Sequence, residues 1–287
     1  MLAVPDLRPP RPEESARIAT LLSVHAPEPV TEERIRRAWD APGVDMERDS
    51  RVAVEHGEIV GFAAVAVEDV HTWIEVNGKE APALLDWAKP LARGRVYSGG
   101  WQQDDEVRAA LLDHGFSLVR HSYRMAIDLD EERPQPRWPD GIAVRSFREG
   151  DGHAVYEAHM ETFEDSWEHT RQPYEEWSHW LLERPGFDPE LWVLAAAGDD
   201  LAGIALCRVH DDDPNTGWVA ILGVRRPWRR QGLGRALLYE SFRRLAERGC
   251  SRAVLGVDAS SLTGANRLYE NAGMQVVATF DIYELTP

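Results

Sequence analysis

Cysteine is scarce in this sequence of 287 residues, where it occurs only as Cys207 and Cys250. Two cysteines cannot build a disulfide framework, and neither lies in a CxxC pair or at the Cys/His spacing of a metal site. We therefore expect no disulfide scaffold and no metal ion.

Long apolar runs are also absent, since no uninterrupted stretch reaches the 18 residues of a candidate membrane-spanning helix. The N-terminal stretch MLAVPDLRPPRPEES lacks the basic segment and the following apolar segment of a secretory signal. With 43% hydrophobic and 28% charged residues, the composition is that of a soluble globular protein. We expect a cytoplasmic protein without a membrane partner, and nothing here indicates its oligomeric state.

Basic residues are outnumbered, because 32 Lys and Arg against 49 Asp and Glu give a net charge of −17. The negative excess is shared, with −8 in residues 1–130 and −9 in the remainder. A nucleic-acid partner is not expected, because binding the phosphate backbone requires clustered Lys and Arg. An acidic surface suits a cationic or amine-bearing small substrate, although it is also a common solubility feature.

The sequence contains one pattern twice. Corresponding segments are 6–15 with 143–152, 51–67 with 192–209, and 110–127 with 268–285. They are typical of a short strand before an acidic helix start, of a hairpin, and of a helix with a glycine C-cap followed by a strand. The proline-rich segment between the copies has the composition of a stiff linker. We predict a degenerate N-terminal domain over 1–130, a linker over 131–139 and a second domain over 140–287.

Apolar periodicity predicts alternating strands and helices in the second copy. The predicted elements are a strand over 142–148, helices over 151–163 and 173–184, strands over 191–197, 201–210 and 217–225, a helix over 232–248, a strand over 252–258, a helix over 264–272 and a strand over 275–285.

A turn rich in arginine and glycine joins the strand over 217–225 to the helix over 232–248. Its small and basic residues are Arg229, Arg230, Gly232, Gly234 and Arg235. Backbone N–H groups at a helix N-terminus lack intrahelical partners and lie at the positive end of the helix dipole. Glycine lets an anion approach the backbone closely. The turn suits a pyrophosphate, and a plain helix start with incidental glycines is the alternative.

The order V-x-x-P-x-R-x-x-G-x-G, helix, strand, then A-x-x-L-Y-E-x-x-G-M surrounds this turn. Its residues are Val224, Pro227, Arg229, Gly232, Gly234, Ala265, Leu268, Tyr269, Glu270, Gly273 and Met274. This pattern resembles the GNAT superfamily of acyl-CoA N-acyltransferases. The motifs cover roughly residues 140–287, and the internal repeat extends the resemblance to 1–130. The whole chain therefore resembles a tandem GNAT protein.

The resemblance implies an α/β (α+β) fold of two tandem GNAT-like domains, each a curved mixed β-sheet flanked by helices. It also implies acetyl-CoA as co-substrate, with the pantetheine arm in a gap where strands 217–225 and 252–258 splay apart. The residues assigned to the cofactor are Leu222, Gly223, Val224, Arg229, Arg230, Gln231, Gly232, Leu233, Gly234 and Arg235. The family often has Asn at the start of the last helix; this sequence has Leu262 there, and Ser261 and Asn266 are alternatives for that contact.

The resemblance assigns the leaving-group chemistry to Tyr269, whose hydroxyl would protonate the departing thiolate. Reference pKa values near 10 for tyrosine and about 8.5 for a thiol make that transfer uphill by about 2 kcal/mol. A proton relayed from the substrate ammonium would cover this gap. The alternative is a tyrosine that only packs the last helix onto the sheet.

The first copy lacks both the R-x-x-G-x-G turn and a counterpart of Tyr269. Aligning Gly115 with Gly273 places Leu111 opposite Tyr269, and residues 93–103 contain glycines without an R-x-x-G-x-G turn. We therefore expect one acetyl-CoA per chain, bound by the second copy. The first copy is expected to be a non-catalytic partner that closes one side of the acceptor site.

An amine acceptor is mostly protonated at pH 7 and needs a base. Residues 159–177 mix carboxylates with aromatic rings: Glu161, Glu164, Asp165, Trp167, Glu168, Tyr174 and Trp177. Glu161 and Asp165 are the candidate bases; they are four residues apart, so a helix that continued as far as Asp165 would place both carboxylates on one face. The aromatic rings could hold a cation. The alternative is that Trp177 belongs to an apolar helix face and that the acids form a solvated cap.

Together these features predict an N-acetyltransferase that moves the acetyl group of acetyl-CoA to the amine of a small molecule by direct attack in a ternary complex. One alternative is a non-catalytic CoA-binding sensor, which would have no need of Tyr269. Another is a protein-lysine acetyltransferase, which would favour an open groove. A purely structural scaffold would have no reason to keep the glycine turn in one copy only.

Overall fold

The computed structural model describes residues 6–68, 70–129, 134–167, 169–210, 213–261 and 264–286. The chain divides into two compact units. The first consists of Met1–Tyr123, Asp258–Ser260 and Ala278–Pro287, and the second of Arg124–Val257 and Ser261–Val277. The C-terminal residues of the chain therefore belong to the first unit. Within the described ranges, no helix is long and apolar enough to cross a bilayer.

The first unit contains strands β1 to β5 and helices α1 to α5. The strands are β1 (Asp6–Arg8), β2 (Ser50–Glu55), β3 (Glu58–Val67), β4 (His71–Gly78) and β5 (Arg95–Trp101). The helices are α1 (Ser15–Leu22), α2 (Glu32–Trp39), α3 (Met46–Asp49), α4 (Ala81–Ala88) and α5 (Asp105–Asp113), with short 3-10 turns at Pro12–Glu14 and Lys89–Leu91. The strand β6 (Phe116–Asp128) follows, and its last residues lie in the second unit.

The sheet of the first unit is mixed. β1 to β4 pair antiparallel in chain order, and β4 pairs with β5 in parallel. Residues 280–284, near the C-terminus, pair antiparallel with β5. One face of the sheet packs an apolar core with α4 and α5, and the other packs a second core with α1 and α2.

The second unit repeats this arrangement. Its strands are β7 (Ala143–Ser146), β8 (Trp192–Ala197), β9 (Asp200–Val209), β10 (Thr216–Val224) and β11 (Arg252–Asp258). Its helices are α6 (Gly152–Phe163), α7 (Tyr174–Leu181), α8 (Leu233–Glu247) and α9 (Ala265–Asn271), with 3-10 turns at Pro189–Leu191 and Arg226–Trp228. The last strand, β12 (Gln275–Leu285), begins in this unit and ends in the first.

The sheet of the second unit is also mixed, with β7 to β10 antiparallel in chain order and β10 parallel to β11. One core lies beneath α6 and α7, and the other lies beneath α8. Mixed strand pairing with flanking helices is confirmed in each unit, and the predicted strands and helices of the second copy agree with the structure to within a few residues.

Matching details confirm the internal repeat. Arg8 pairs with Glu14 at 2.6 Å, and the corresponding Arg145 pairs with Asp151 at 2.5 Å. The two hairpins carry register shifts at corresponding places, after Ala53 in the first and after Ala195 in the second. Each copy therefore fixes its first strand to the following helix start with the same Arg-carboxylate contact.

Candidate functional site

The predicted cofactor turn begins α8, and Gly232 is its N-cap residue. Gly232 has a φ of +87°, in the left-handed region that side chains disfavour, and a Cβ there would meet nothing within 4 Å. A left-handed residue followed by helical ones is a backbone combination that forms anion-binding concavities. Glycine at 232 is therefore required by the backbone, and the space beside it is open.

Unpaired backbone donors lie at this helix start. The first intrahelical bond is donated by Ala236 N–H to Gly232 O at 3.1 Å, and no side chain caps the helix. Within the described ranges, the N–H groups of Leu233, Gly234 and Arg235 have no acceptor. These donors and the dipole of a 15-residue helix favour an anion.

The side chains of the turn differ in solvent exposure and in their interaction partners. Arg230 and Arg235 are exposed and, among the described residues, have no ion-pair partner. Arg230 has a φ of +65°, a backbone conformation that costs a residue other than glycine about 1–2 kcal/mol. Gln231 is exposed and donates to Pro227 O at 3.2 Å. Leu233 is buried in the core beneath α8, so only its backbone is available to a ligand.

The strand before the turn has an open edge. The parallel register of β10 and β11 ends at Trp218↔Val254, whereas β10 continues to Val224. Leu222, Gly223 and Val224 lie in this continuation and pair with β9 on the other side. Their edge toward β11 has no strand partner in the described part of the chain, as expected for strands that splay apart. Gly223 is closely packed, since a Cβ there would lie 2.8 Å from Thr162 Cβ.

Tyr269 lies on α9, next to the turn. A Cβ at Gly234 would be 3.5 Å from Leu268 Cδ2 and 3.6 Å from Val224 Cγ2, so the residue before Tyr269 packs between the strand end and the helix start. The three motifs identified in the sequence therefore meet in the second unit. Tyr269 is 7% exposed, and burial raises the pKa of its hydroxyl to about 12. Within the described ranges, that hydroxyl has no hydrogen-bond partner.

The remaining predicted cofactor contacts lie near the start of α9. Ser261 is half-buried and accepts a long backbone hydrogen bond from Gly264 N–H at 3.5 Å, and Asn266 is the second residue of α9. Leu262 and the acid Glu168 lie outside the described residues.

The two candidate bases pair with arginines that flank the turn. Glu161 Oε2 accepts from Arg225 Nε at 2.6 Å. Asp165 accepts from Arg226 at 2.7 Å and from Arg229 at 3.2 Å. Hydrogen bonds from Arg226 and Arg229 hold the pKa of Asp165 below its usual range, which makes that carboxylate a weak proton acceptor. These contacts indicate that the end of α6 positions the turn.

The side chain of Arg229 is held by contacts within the protein. Its Nε donates to Val224 O at 2.9 Å, and its guanidinium also reaches Asp165 and Thr162 O. This arrangement fixes the strand end to the turn. Sequence reasoning missed Arg225 and Arg226 as partners of these acids, because about sixty residues separate the two segments.

Trp177 does not form a cation-binding wall. It is fully buried in the core beneath α6 and α7, and its indole N–H donates to His159 Nδ1 at 2.9 Å. Tyr174 stacks on His153 with ring centroids 3.8 Å apart. The alternative of an apolar helix face is confirmed for Trp177. Burial lowers the pKa of His159 to about 4, so this imidazole is neutral near pH 7.

The corresponding turn of the first unit carries acidic residues. There β4 leads into α4 through Gly78, Lys79 and Glu80, and Glu80 is the N-cap residue of α4. Burial and the neighbouring Glu55 raise the pKa of Glu80, which shows that two carboxyl groups crowd this helix start. Leu111, opposite Tyr269 in the alignment, is fully buried in the core. Among the described residues, no group of His, Cys, Asp and Glu could hold a metal ion.

Comparison with known proteins gives a consistent result. Residues 152–274 match the acetyltransferase (GNAT) family. The chain is 30% identical over 261 residues to a mycothiol acetyltransferase of Saccharopolyspora erythraea, covering 80% of this chain and 82% of that protein. It is 33% identical over 240 residues to a mycothiol acetyltransferase of Thermobispora bispora, covering 75% and 76%.

Solved structures extend the similarity to both units. A GCN5-related N-acetyltransferase from Sphaerobacter thermophilus is 30% identical with a TM-score of 0.78, covering 99% of this chain and 96% of that chain. A tandem GNAT protein from the clavulanic acid biosynthesis pathway has a TM-score of 0.75 at 13% identity, covering 99% of each chain. The second similarity concerns the fold alone.

Proposed function

The chain belongs to the GNAT acetyltransferase family and is an acetyl-CoA-dependent N-acetyltransferase; we propose that it acetylates the amine of a small molecule by direct transfer in a ternary complex. The proposal rests on one observation: the glycine turn, the unpaired edge of β10 and Tyr269 lie close together in the second unit. Relatives named mycothiol acetyltransferase support a small acceptor over a protein lysine.

The turn is proposed to hold the pyrophosphate. The N–H groups of Leu233, Gly234 and Arg235 would donate to its oxygens, with the exposed Arg230 and Arg235 side chains adding positive charge. Arg229 would keep the turn in place through Val224 O and Asp165 rather than bind the phosphates itself. The backbone of Leu222, Gly223 and Val224 would pair with the pantetheine arm, and Ser261 or Asn266 would supply a further polar contact.

Acetyl-CoA supplies an activated acetyl group as a thioester. The neutral amine attacks its carbonyl carbon, so that a C–N bond forms while the C–S bond breaks. The amine gives up a proton to a base, and the departing sulfur must be stabilised as a thiolate or thiol. The hydroxyl of Tyr269, which has no partner in the described protein, is proposed to donate its hydrogen bond to that sulfur.

Burial makes the Tyr269 hydroxyl a weaker acid than the reference pKa of tyrosine implies. Moving a proton from a hydroxyl of pKa about 12 to a thiolate of reference pKa about 8.5 is uphill by about 5 kcal/mol. The same burial keeps the hydroxyl protonated from neutral pH to beyond pH 10. We infer that Tyr269 hydrogen-bonds the sulfur as charge develops and transfers its proton only as the proton from the amine replaces it.

Replacing Asp165 with asparagine should raise the KM for acetyl-CoA several-fold and leave kcat nearly unchanged, because it loosens the contacts of Arg226 and Arg229. Steady-state kinetics against Glu157→Gln, which removes an exposed acid of α6 that pairs with Arg171, provide the matched control. A loss of kcat by about 100-fold or more at constant KM would instead assign the base role to Asp165. The role of Glu161 as base stays a prediction.

The acceptor class is tested by a screen of primary amines, amino sugars and peptides with acetyl-CoA, following thiol release. We expect turnover with one or more small amines and none with peptides. Turnover with peptides or proteins alone would refute the small-molecule proposal, and no turnover with any amine from pH 6 to 10 would favour a non-catalytic CoA sensor.

We also propose that the protein is cytoplasmic. Cys207 and Cys250 are both free thiols and both buried, as is usual for a protein of a reducing compartment. Burial raises the pKa of Cys207 to about 12, so this thiol is unreactive at neutral pH.

A further inference from the structure

Glu75 occupies an unusual place in the first unit. Its neighbours Ile74 and Val76 are buried in the core beneath α4 and α5, so alternation along β4 directs Glu75 to the other face of the sheet. It lies opposite Ala64 of β3 on that face, where α1 and α2 pack. The carboxyl group of Glu75 therefore lies on the face that carries the apolar core beneath α1 and α2.

In the second unit, the position that corresponds to Glu75 is occupied by a buried core residue. Ala64↔Glu75 in the β3–β4 pair corresponds to Leu206↔Ile221 in the β9–β10 pair. Ile221 is 7% exposed and packs beneath α6 and α7. Packing therefore accounts for isoleucine at this position in one copy, but it does not account for glutamate in the other.

The carboxyl group of Glu75 is accessible to solvent and is also influenced by the surrounding protein. The residue is solvent-exposed, and burial nevertheless raises the pKa of its carboxyl group, against a smaller opposing effect of Arg34. A bound cation would favour the ionised form of this carboxyl group. Among the described residues, the carboxylate has no hydrogen bond or ion pair.

The strand edge beside Glu75 is open as well. The parallel register of β4 and β5 ends at Ile74↔Ser98, so Glu75 is the first residue beyond it. The corresponding opening in the second unit is the one proposed to receive the pantetheine arm. Here the helix start beyond it carries Glu80 close to Glu55, and that negative charge disfavours a phosphate ligand.

Aromatic rings lie on the same face. Trp73 precedes Glu75 by two residues on β4 and stacks with Phe280 at a centroid distance of 6.4 Å. Phe280 also meets Trp101 edge to face at 5.2 Å. Gly99 makes this possible, because a Cβ there would lie 2.8 Å from Phe280 Cζ. All three rings are partly exposed.

A carboxylate beside partly exposed aromatic faces attracts an organic cation, because the carboxylate supplies charge and the rings supply their negative faces. We propose that the first unit binds a small organic ammonium ion on the face of its sheet that carries Trp73, Glu75, Trp101 and Phe280. The first unit then recognises a ligand of opposite charge to the pyrophosphate bound by the second unit.

The test uses choline and its uncharged isostere 3,3-dimethylbutan-1-ol as probes of the intact chain, with dissociation constants from ligand-observed NMR titration. Choline should bind at least about tenfold more tightly than the neutral isostere. Saturating acetyl-CoA should leave the choline signal in place, because the two sites differ. Equal binding of both probes, or loss of the choline signal on adding acetyl-CoA, would overturn the proposal without any variant.

Variants then locate the site. Glu75→Gln should weaken choline binding about tenfold and Trp73→Leu several-fold, with acetyl-CoA affinity unchanged. Glu106→Gln, which removes one negative charge from an exposed position of α5, should have no effect on either ligand. Unchanged choline affinity in a folded Glu75→Gln chain would contradict the assignment, and Trp73→Leu decides the question if Glu75→Gln does not fold.

Discussion

Replacing Tyr269 with phenylalanine should lower kcat by on the order of 10²–10⁴ and leave acetyl-CoA affinity nearly unchanged. The substitution removes one hydroxyl that has no partner in the described protein, so folding and cofactor binding should lose little. The departing sulfur, however, would lose its hydrogen-bond donor. Turnover with the acceptor found in the amine screen, together with calorimetric titration of acetyl-CoA, measures the two quantities separately.

Tyr239→Phe is the matched control, because Tyr239 lies on α8 and its ring contacts Phe242. That variant should retain full kcat. Full turnover by Tyr269→Phe would return Tyr269 to a purely structural role in packing α9. The pH profile adds a second check, since a hydroxyl of pKa about 12 stays protonated and should give no alkaline loss of kcat below pH 10.

Gly234→Asp should weaken acetyl-CoA binding at least about tenfold, or about 1.4 kcal/mol. A carboxylate at the second residue of α8 would repel the pyrophosphate from the backbone donors of the turn. Protein stability should not fall, because an acidic residue in the first turn of a helix interacts favourably with the helix dipole. Calorimetry gives the affinity, and thermal unfolding without ligand gives the stability.

Gly234→Ala is the control for this variant. Gly234 has no positive φ, and a Cβ would be in ordinary contact with Leu268 and Val224, so alanine should bind acetyl-CoA more tightly than aspartate does. Equal affinity of wild type and Gly234→Asp would show that the pyrophosphate lies elsewhere.

Local pattern was sufficient to predict the elements of the second unit. The strand β10 and the helix α8 are long and strongly periodic, and Gly273 has the left-handed φ of +94° that a helix C-cap requires. The glycine turn was predictable for the same reason, because its signal is confined to a few consecutive residues between two clear elements.

Contacts between distant segments were not predictable in this way. Glu161 and Asp165 were chosen as bases because a helix that continued to Asp165 would place both on one face, but α6 ends at Phe163. Nothing in their neighbourhood signals Arg225 or Arg226. The placement of residues 278–287 in the first unit depends likewise on pairing with β5. The boundaries 1–130, 131–139 and 140–287 stay a prediction.

Glu75 was missed although the sequence holds a signal for it. The segment HTWIEVNG places a charge in a strand whose counterpart in the second unit, WVAILGV, has none. Comparing the copies position by position requires the strand register, which the bulge between Val219 and Ile221 shifts by one residue. Only the structure supplies that register.

The most direct test of the central claim, that one cofactor site lies wholly in the second unit, is a calorimetric titration of the intact chain with acetyl-CoA. We predict one acetyl-CoA bound per chain, because the helix start in the first unit carries Glu80 beside Glu55 where the second has the glycine turn. Two equivalent sites per chain would contradict this account.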